Sequence, residues 1–330
     1  AKQAEYILQG ASSEDTPIRW FNHFYDPVYN VGFSDFIMGE KLGIFPTAPV
    51  WLQSPYEQTK YSVGDRSWQR AIDDYARGDD EKAFLGLGHA IHLLSDMSVP
   101  AHTRNSAHPG DSYESFVKSN WGNIAPNLKY EFKEINSLQQ SFADLANYSN
   151  NNFYSDRTIE NNKYNIVNII ENNLIQNNNG LFYKYYFSKI NNKQYKIFVN
   201  KNPLKWNDEE IYELDDYLVL TDYSQTLIPQ AISHSSGLIK LFLNSIRFCC
   251  EIFLTLFIVP AIAGASPEFL NKILSVISKI SSSGSSSILL ISSKIIFLSF
   301  SISLILNLGY RIKSDKMSKV LLKCCFKARA

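Results

Sequence analysis

The chain has 330 residues, 45% of them hydrophobic and 19% charged, with 32 basic and 32 acidic side chains. That apolar content excludes a wholly disordered protein. A net charge of zero leaves no global field to attract nucleic acid or anionic lipid, so any basic patch is local. The four cysteines form two adjacent pairs, Cys249–Cys250 and Cys324–Cys325, which is neither a disulfide framework nor a CxxC metal pattern. Five of the six histidines (His23, His89, His92, His102 and His108) fall within the first 108 residues. The chemistry is to be sought there.

In chain order, Lys2–Gln9 reads as the closing turns of a helix, with Gly10 as its stop. With no basic-then-apolar leader after Ala1, this reads as a chain cut from a longer one. Residues 11–33 are dense in aromatics and turn formers, and residues 34–62, with Pro46, Pro49 and Pro55, read as irregular. Trp68, Ile72 and Tyr75 share one stripe of a helix across 65–77, ended by Gly78. The best-defined helix comes next, capped by Asp79 or Asp80, with Ala83, Phe84, Leu87, Ala90, Ile91 and Leu94 at helical spacing. Pro100 stops it. Residues 101–112 read as a polar loop, and a further helix starts near Asp111 and carries Phe116 and Val117.

From Asn147 to Asn179 the chain is Asn-rich, a weakly ordered insertion or a poor helix. Residues 181–199 hold two aromatic and β-branched runs around Asn191-Asn192, a hairpin signal. A helix resumes around 223–246. Beyond it, Ile252–Ala265 is apolar but interrupted by Pro260, Ser281–Ser287 is a serine-rich linker, and Ile288–Tyr310 is about long enough to span a bilayer. The basic residues from Arg311 to Arg329 would then lie on the cytoplasmic side. Buried or interfacial helices, or a tail without a fold, are the alternatives. The reading is a domain over 1–246, with an insertion at about 147–206, and an apolar, Ser-rich tail over 247–330 as a possible membrane anchor.

His92 and Asp96 are four residues apart and project from one face of the best-defined helix, beside its apolar stripe. An imidazole and a carboxylate so spaced can reach one metal ion. Gly86 and Gly88 would let another backbone approach closely. Pro100 then delivers His102; His108 and Glu114 come at six-residue steps, and Asp15 and His23 bracket an aromatic turn upstream. The candidate ligands are Asp15, His23, His92, Asp96, His102, His108 and Glu114. Nitrogen and carboxylate donors without thiolate suit zinc in hydrolytic sites. Taken singly, each has a plainer reading. Asp111 with Glu114 fits a helix-start capping box, His23 fits a core histidine, and His92 with Asp96 fits a surface pair. His89 reads as structural or supporting. The clustering of five histidines with acids around one short helix and its exit favours metal.

The run Leu87-Gly88-His89-Ala90-Ile91-His92-Leu93-Leu94-Ser95-Asp96-Met97-Ser98-Val99-Pro100-Ala101-His102 resembles the central motif of the bacterial zinc-dependent phospholipase C family. So do Asn22-His23-Phe24-Tyr25-Asp26-Pro27 and the later His108 with Tyr113-Glu114. The single-strand-specific zinc nucleases share that fold and metal logic. The resemblance covers roughly residues 10–120 and continues weakly through Leu227–Phe242.

It implies an all-α, multi-helix fold, here with a small β-hairpin insertion and an apolar helical tail. By the same resemblance, Asp15, His23, His92 and Asp96 would hold one zinc, His102, His108 and Glu114 a second, and Asp96 would bridge to a third. In the family that third ion is completed by an amino-terminal Trp and a His on the first helix. Neither has a counterpart here, so either the first helix is missing from the chain or two ions are held. His108 and Glu114 are also further apart than in the best-known members. The implied activity is hydrolysis of phosphodiester bonds by metal-activated water, with Asp15 as ligand and base and Phe24 as an apolar wall for substrate. Phospholipid is the expected substrate, because the basic residues of this stretch are scattered among acids. A single-strand-specific nuclease, acting on nucleic acid, is the alternative, and a catalytically impaired zinc-binding, membrane-associated domain is a third reading. The resemblance places the zinc domain outside the cytoplasm, as a secreted, periplasmic or membrane-anchored protein.

Overall fold

The computed structural model describes residues 2–34, 36–37, 40–41, 45–60, 63–159, 167–176, 180–203 and 211–253. The chain divides into two compact units, Ala1–Tyr75 with Asp79–Leu243, and Ala76–Gly78 with Asn244–Ala330. All seven candidate ligands belong to the first unit. The expected linker Ser281–Ser287 and span Ile288–Tyr310 lie outside the described residues, as does Ile252–Ala265 beyond its first two positions. Among the described residues no helix is long and apolar enough to cross a membrane.

Helix α1 (Lys2–Glu14) leads into a 3-10 turn (Arg19–Asn22) and a short antiparallel pair, β1 (Phe36–Ile37) and β2 (Glu40–Lys41). Helices α2 (Ala48–Gln53), α3 (Pro55–Lys60) and α4 (Trp68–Ala76) come after. Then come α5 (Asp80–Asp96), α6 (Pro100–Thr103), α7 (Ser112–Ile124) and α8 (Leu138–Asn152). Strands β3 (Glu171–Gln176), β4 (Phe182–Ile190), β5 (Lys193–Asn200) and β6 (Tyr212–Glu213) precede the long α9 (Tyr217–Phe253).

Gly10 does not stop α1. It lies where α1 packs on α5, and a Cβ there would sit 2.0 Å from the Leu85 carbonyl oxygen. A Cβ on Gly88 would sit 2.2 Å from the Ile7 carbonyl oxygen, and one on Gly86 would meet Ala71 Cβ at 2.6 Å. These glycines bring backbones into contact rather than end a helix. The segment read as irregular, 34–62, holds α2 and α3. Pro49 sits in the first turn of α2 and Pro55 opens α3, where a missing N–H costs nothing. Pro100 likewise opens α6, so the expected loop after it begins as a helical turn.

The all-α expectation is corrected by a four-stranded antiparallel sheet in the order β3-β4-β5-β6. The fold is mixed helix and sheet. The hairpin at its centre turns on Asn191 and Asn192, both with positive φ (49° and 66°), as a two-residue hairpin loop requires. Strand β3 comes from the Asn-rich stretch and is almost wholly exposed. It shows no apolar alternation, and pairing with β4 makes it a strand. The sheet is part of the core. Tyr185, Ile197 and Val199 are buried with Tyr113, Phe153, Tyr223 and Leu227. Tyr223 Oη donates to the Ile197 carbonyl at 2.8 Å and accepts from the Tyr154 amide at 3.1 Å.

Candidate metal centre

Four chain segments converge on one point. Helix α5 is capped by Asp79, whose side chain accepts from the Lys82 amide, and its last turn is anchored by fully buried Leu93, Leu94 and Met97. Asp96 ends it. The Val99 amide donates to the Asp96 carbonyl (2.9 Å) and the His102 amide to the Val99 carbonyl (3.1 Å). This tight reversal sets His102 beside Asp96. His23 arrives on the 3-10 turn, and its strand of chain is tied to α6 by the Tyr25 amide donating to the His102 carbonyl at 3.2 Å. Helix α7 presents Glu114. The Asp111 side chain accepts from the Glu114 amide at 3.0 Å, so only the N-cap half of the expected capping box forms, and the Glu114 carboxylate turns to the histidines instead. His108 Nδ1 donates to the Ser106 carbonyl (3.1 Å), which leaves Nε2 to face inward.

The seven candidates come together in three overlapping groups whose ligand atoms lie within 4.8 Å of one another: Asp15, His23 and His92; His23, Asp96 and His102; His102, His108 and Glu114. Asp96 Oδ2 is the hub, at 3.0 Å from His23 Nδ1, 3.4 Å from His92 Nε2 and 3.4 Å from His102 Nδ1. Beyond it, His102 Nε2 and His108 Nε2 are 2.9 Å apart, and His108 Nε2 is 3.3 Å from Glu114 Oε2. Two ligands at ~2.0–2.1 Å from a tetrahedral ion lie ~3.3 Å from each other, which is the spacing seen. Asp96 Oδ2 and His102 Nδ1 are buried without a hydrogen-bond partner among the described residues. Such atoms call for an explanation, and an ion is one. The donor set therefore fits a divalent metal ion, and its nitrogen and oxygen chemistry does not single out zinc.

Protonation follows from the same crowding. Burial acts to lower the His23 imidazole, but Asp96 and Glu14 on either side push it up to about 10. Burial acts to raise the Asp96 carboxyl, yet His92, His102 and His23 hold it well below the usual carboxylate range. The same surroundings favour a proton on His23, which an ion would have to displace.

A supporting shell that local sequence does not reveal surrounds these groups. Glu14 is fully buried and accepts from Arg19 Nε (2.7 Å) and Trp51 Nε1 (2.9 Å). His89 Nδ1 also donates to it. Its Oε1 is 3.7 Å from His23 Nε2, behind the nitrogen that faces Asp96. A carboxylate so placed orients a ligand histidine. Phe24 is buried and stacks on His102, with ring centres 4.8 Å apart and planes at 19°.

A cavity of about 660 Å³ opens over the cluster. All seven candidates line it, together with Trp20 and Phe24 of the aromatic turn and Arg157. Trp20 is 44% exposed there. Neither it nor Arg157 carries a spacing signal that ties it to the histidines. Comparison of the sequence with protein-family models and with curated proteins gives no match.

Proposed function

We propose that the chain is a zinc-dependent phosphodiester hydrolase that acts on phospholipid headgroups as a phospholipase C, outside the cytoplasm and in association with a membrane. The observation that carries the reading is the hub at Asp96 Oδ2, buried, without a hydrogen-bond partner among the described residues and surrounded by three imidazoles. The likeness of Leu87–His102 to the zinc-dependent phospholipase C motif supports the choice of ion and substrate. Asp15, His23, His92 and Asp96 would hold one ion, and His102, His108 and Glu114 the other. Ions there supply Lewis acidity toward the phosphoryl oxygens and ease the ionisation of water.

This chain's residues do the rest. Asp15 is exposed beside His23 and His92 and takes the proton of the attacking water. The water oxygen bonds to phosphorus, the bond to the glycerol oxygen breaks, and that oxygen leaves with a proton. Diacylglycerol and a phosphorylated headgroup result. Trp20 and Phe24 give the apolar part of the substrate a wall that excludes water. An exposed Trp also suits base stacking, and this keeps a single-strand-specific nuclease as the second reading.

The test is turnover of short-chain phospholipids and of single-stranded DNA, with and without chelator, alongside elemental analysis. Headgroup release that chelator abolishes, with zinc bound, is expected. His92→Ala and Asp96→Ala should lose metal and at least about a hundredfold in rate. Both variants keeping metal and activity would overturn the assignment.

A further inference from the structure

We infer that Arg157 is a specificity-determining residue that binds a second negative charge on the substrate, so that the preferred phospholipids carry an anionic, phosphorylated headgroup. The inference rests on the phosphodiesterase reading of the same cavity.

Arg157 is the one Lys or Arg among the described residues that line the cavity. It makes no hydrogen bond or ion pair with another described residue. Its backbone is nonetheless held. Phe153 and Tyr154, just before it, are buried in the core. The Ser155 amide donates to Thr158 Oγ1 (2.9 Å) and the Thr158 amide to the Ser155 carbonyl (2.9 Å). Asp156 Oδ2 accepts from the Ser112 amide at the start of α7 (2.9 Å), two residues before Glu114. A guanidinium without a partner among the described residues, on a pinned turn at the cavity, is placed for an external anion.

Depth and charge say which anion. His23, Asp96 and His102 are at most 9% exposed and form the floor, whereas Glu114 and Arg157 are exposed. Arg157 therefore meets the part of the substrate away from the floor, where the headgroup extends. Two divalent ions against the three carboxylates Asp15, Asp96 and Glu114 would leave one net positive charge at the floor, and Arg157 adds a second above it. A simple phosphodiester brings one negative charge. A phosphate monoester on the headgroup supplies the further negative charge, which a guanidinium can take through two hydrogen bonds.

The experiment compares ligands that differ by one phosphate. Zinc-loaded protein is titrated calorimetrically with inositol 1,4-bisphosphate and inositol 1-phosphate, as wild type, Arg157→Ala and Arg157→Lys. Wild type should prefer the bisphosphate by about tenfold or more. Arg157→Ala should erase that preference, and Arg157→Lys should keep part of it. A preference absent from wild type, or retained in Arg157→Ala because both ligands weaken equally, would overturn the inference. Hydrolysis of dihexanoyl phosphatidylinositol and its 4-phosphate is followed in parallel. An Arg157-dependent binding preference without any hydrolysis supports the anion site and sinks only the hydrolase reading. Hydrolysis of both lipids with no preference sinks only the anion site. An Arg157-dependent preference for thymidine 3′,5′-bisphosphate, with none in the inositol pair, overturns the headgroup assignment.

Discussion

Ile18 has a φ of 77°, a region that β-branched residues enter only when the surroundings force them. It lies between Asp15 and His23, so a strained backbone residue sits where two candidate ligands must face one point. Glu14, next to Asp15, shows what spacing cannot reveal. Its partners Arg19, Trp51 and His89 come from three places in the chain, and nothing in the local sequence marks a buried carboxylate. The seven ligand candidates are legible because four sit on or just beyond one helix and turn. His234 is as silent as Glu14. It is buried, accepts from Lys133 Nζ at 2.8 Å and donates from Nδ1 to Ser141 Oγ at 2.9 Å. Burial, then the Lys133 charge, pushes its imidazole down to about 4. Unfolded, it takes up a proton near pH 6.5. Its contribution is thus unchanged above pH 6.5, is lost as pH falls from there to about 4, and changes no further below. Over that window it should cost the native state about 3 kcal/mol. Urea denaturation at pH 7 and pH 4 checks this, because His234→Gln should lose that part of the acid sensitivity. Equal sensitivity in both proteins would refute it.

At the scale of elements, the α1–α5 contact decides whether the centre can form. Helix α1 brings Glu14 and Asp15, and α5 brings His89, His92 and Asp96, so their separation must be fixed to a fraction of an ångström. Gly88 fixes it, since its Cβ position is 2.2 Å from the Ile7 carbonyl oxygen and 2.8 Å from the Ala11 amide nitrogen. Neither neighbour is a flexible side chain that could yield. Gly88→Ala should therefore destabilise the fold by about 1–3 kcal/mol and weaken metal binding as α1 is pushed off. Thermal unfolding and a chelator competition read the two effects, and an unchanged affinity would show that α1 does not position the centre. Sequence pattern predicts the close approach at Gly86 and Gly88 but makes Gly10 a stop, because a glycine that admits a neighbour and one that ends a helix look alike in one dimension. The sheet shows a similar limit. Its central hairpin carries its own turn signal, whereas β3 shows no apolar alternation and is a strand only through its pairing with β4.

For the molecule as a whole, the centre joins the helical part to the sheet-bearing part. Arg104 is buried, donates to the Asn150 carbonyl at 2.6 Å and lies over the Tyr154 ring. Asn150 Nδ2 returns a bond to the Thr103 carbonyl at 2.6 Å. These tie α6, with His102, to the end of α8 and the aromatic core behind it. Ion binding should then stabilise the whole unit. At a hundredfold excess over Kd, each ion adds about 2.7 kcal/mol, which raises Tm by roughly 5–10 °C in a domain of this size. Differential scanning calorimetry with and without chelator measures it, and a Tm that ignores metal would mean that the four segments hold their places without one.

The imidazole of His102 turns its two nitrogens in opposite directions, Nδ1 toward Asp96 and Nε2 toward His108 and Glu114. A neutral ring has a single in-plane lone pair to give. With Nε2 turned to His108 and Glu114, the ring's one proton belongs on Nδ1, where it is directed at Asp96 Oδ2. One imidazole thus hinges the two halves of the cluster, and turning its plane would disturb both at once.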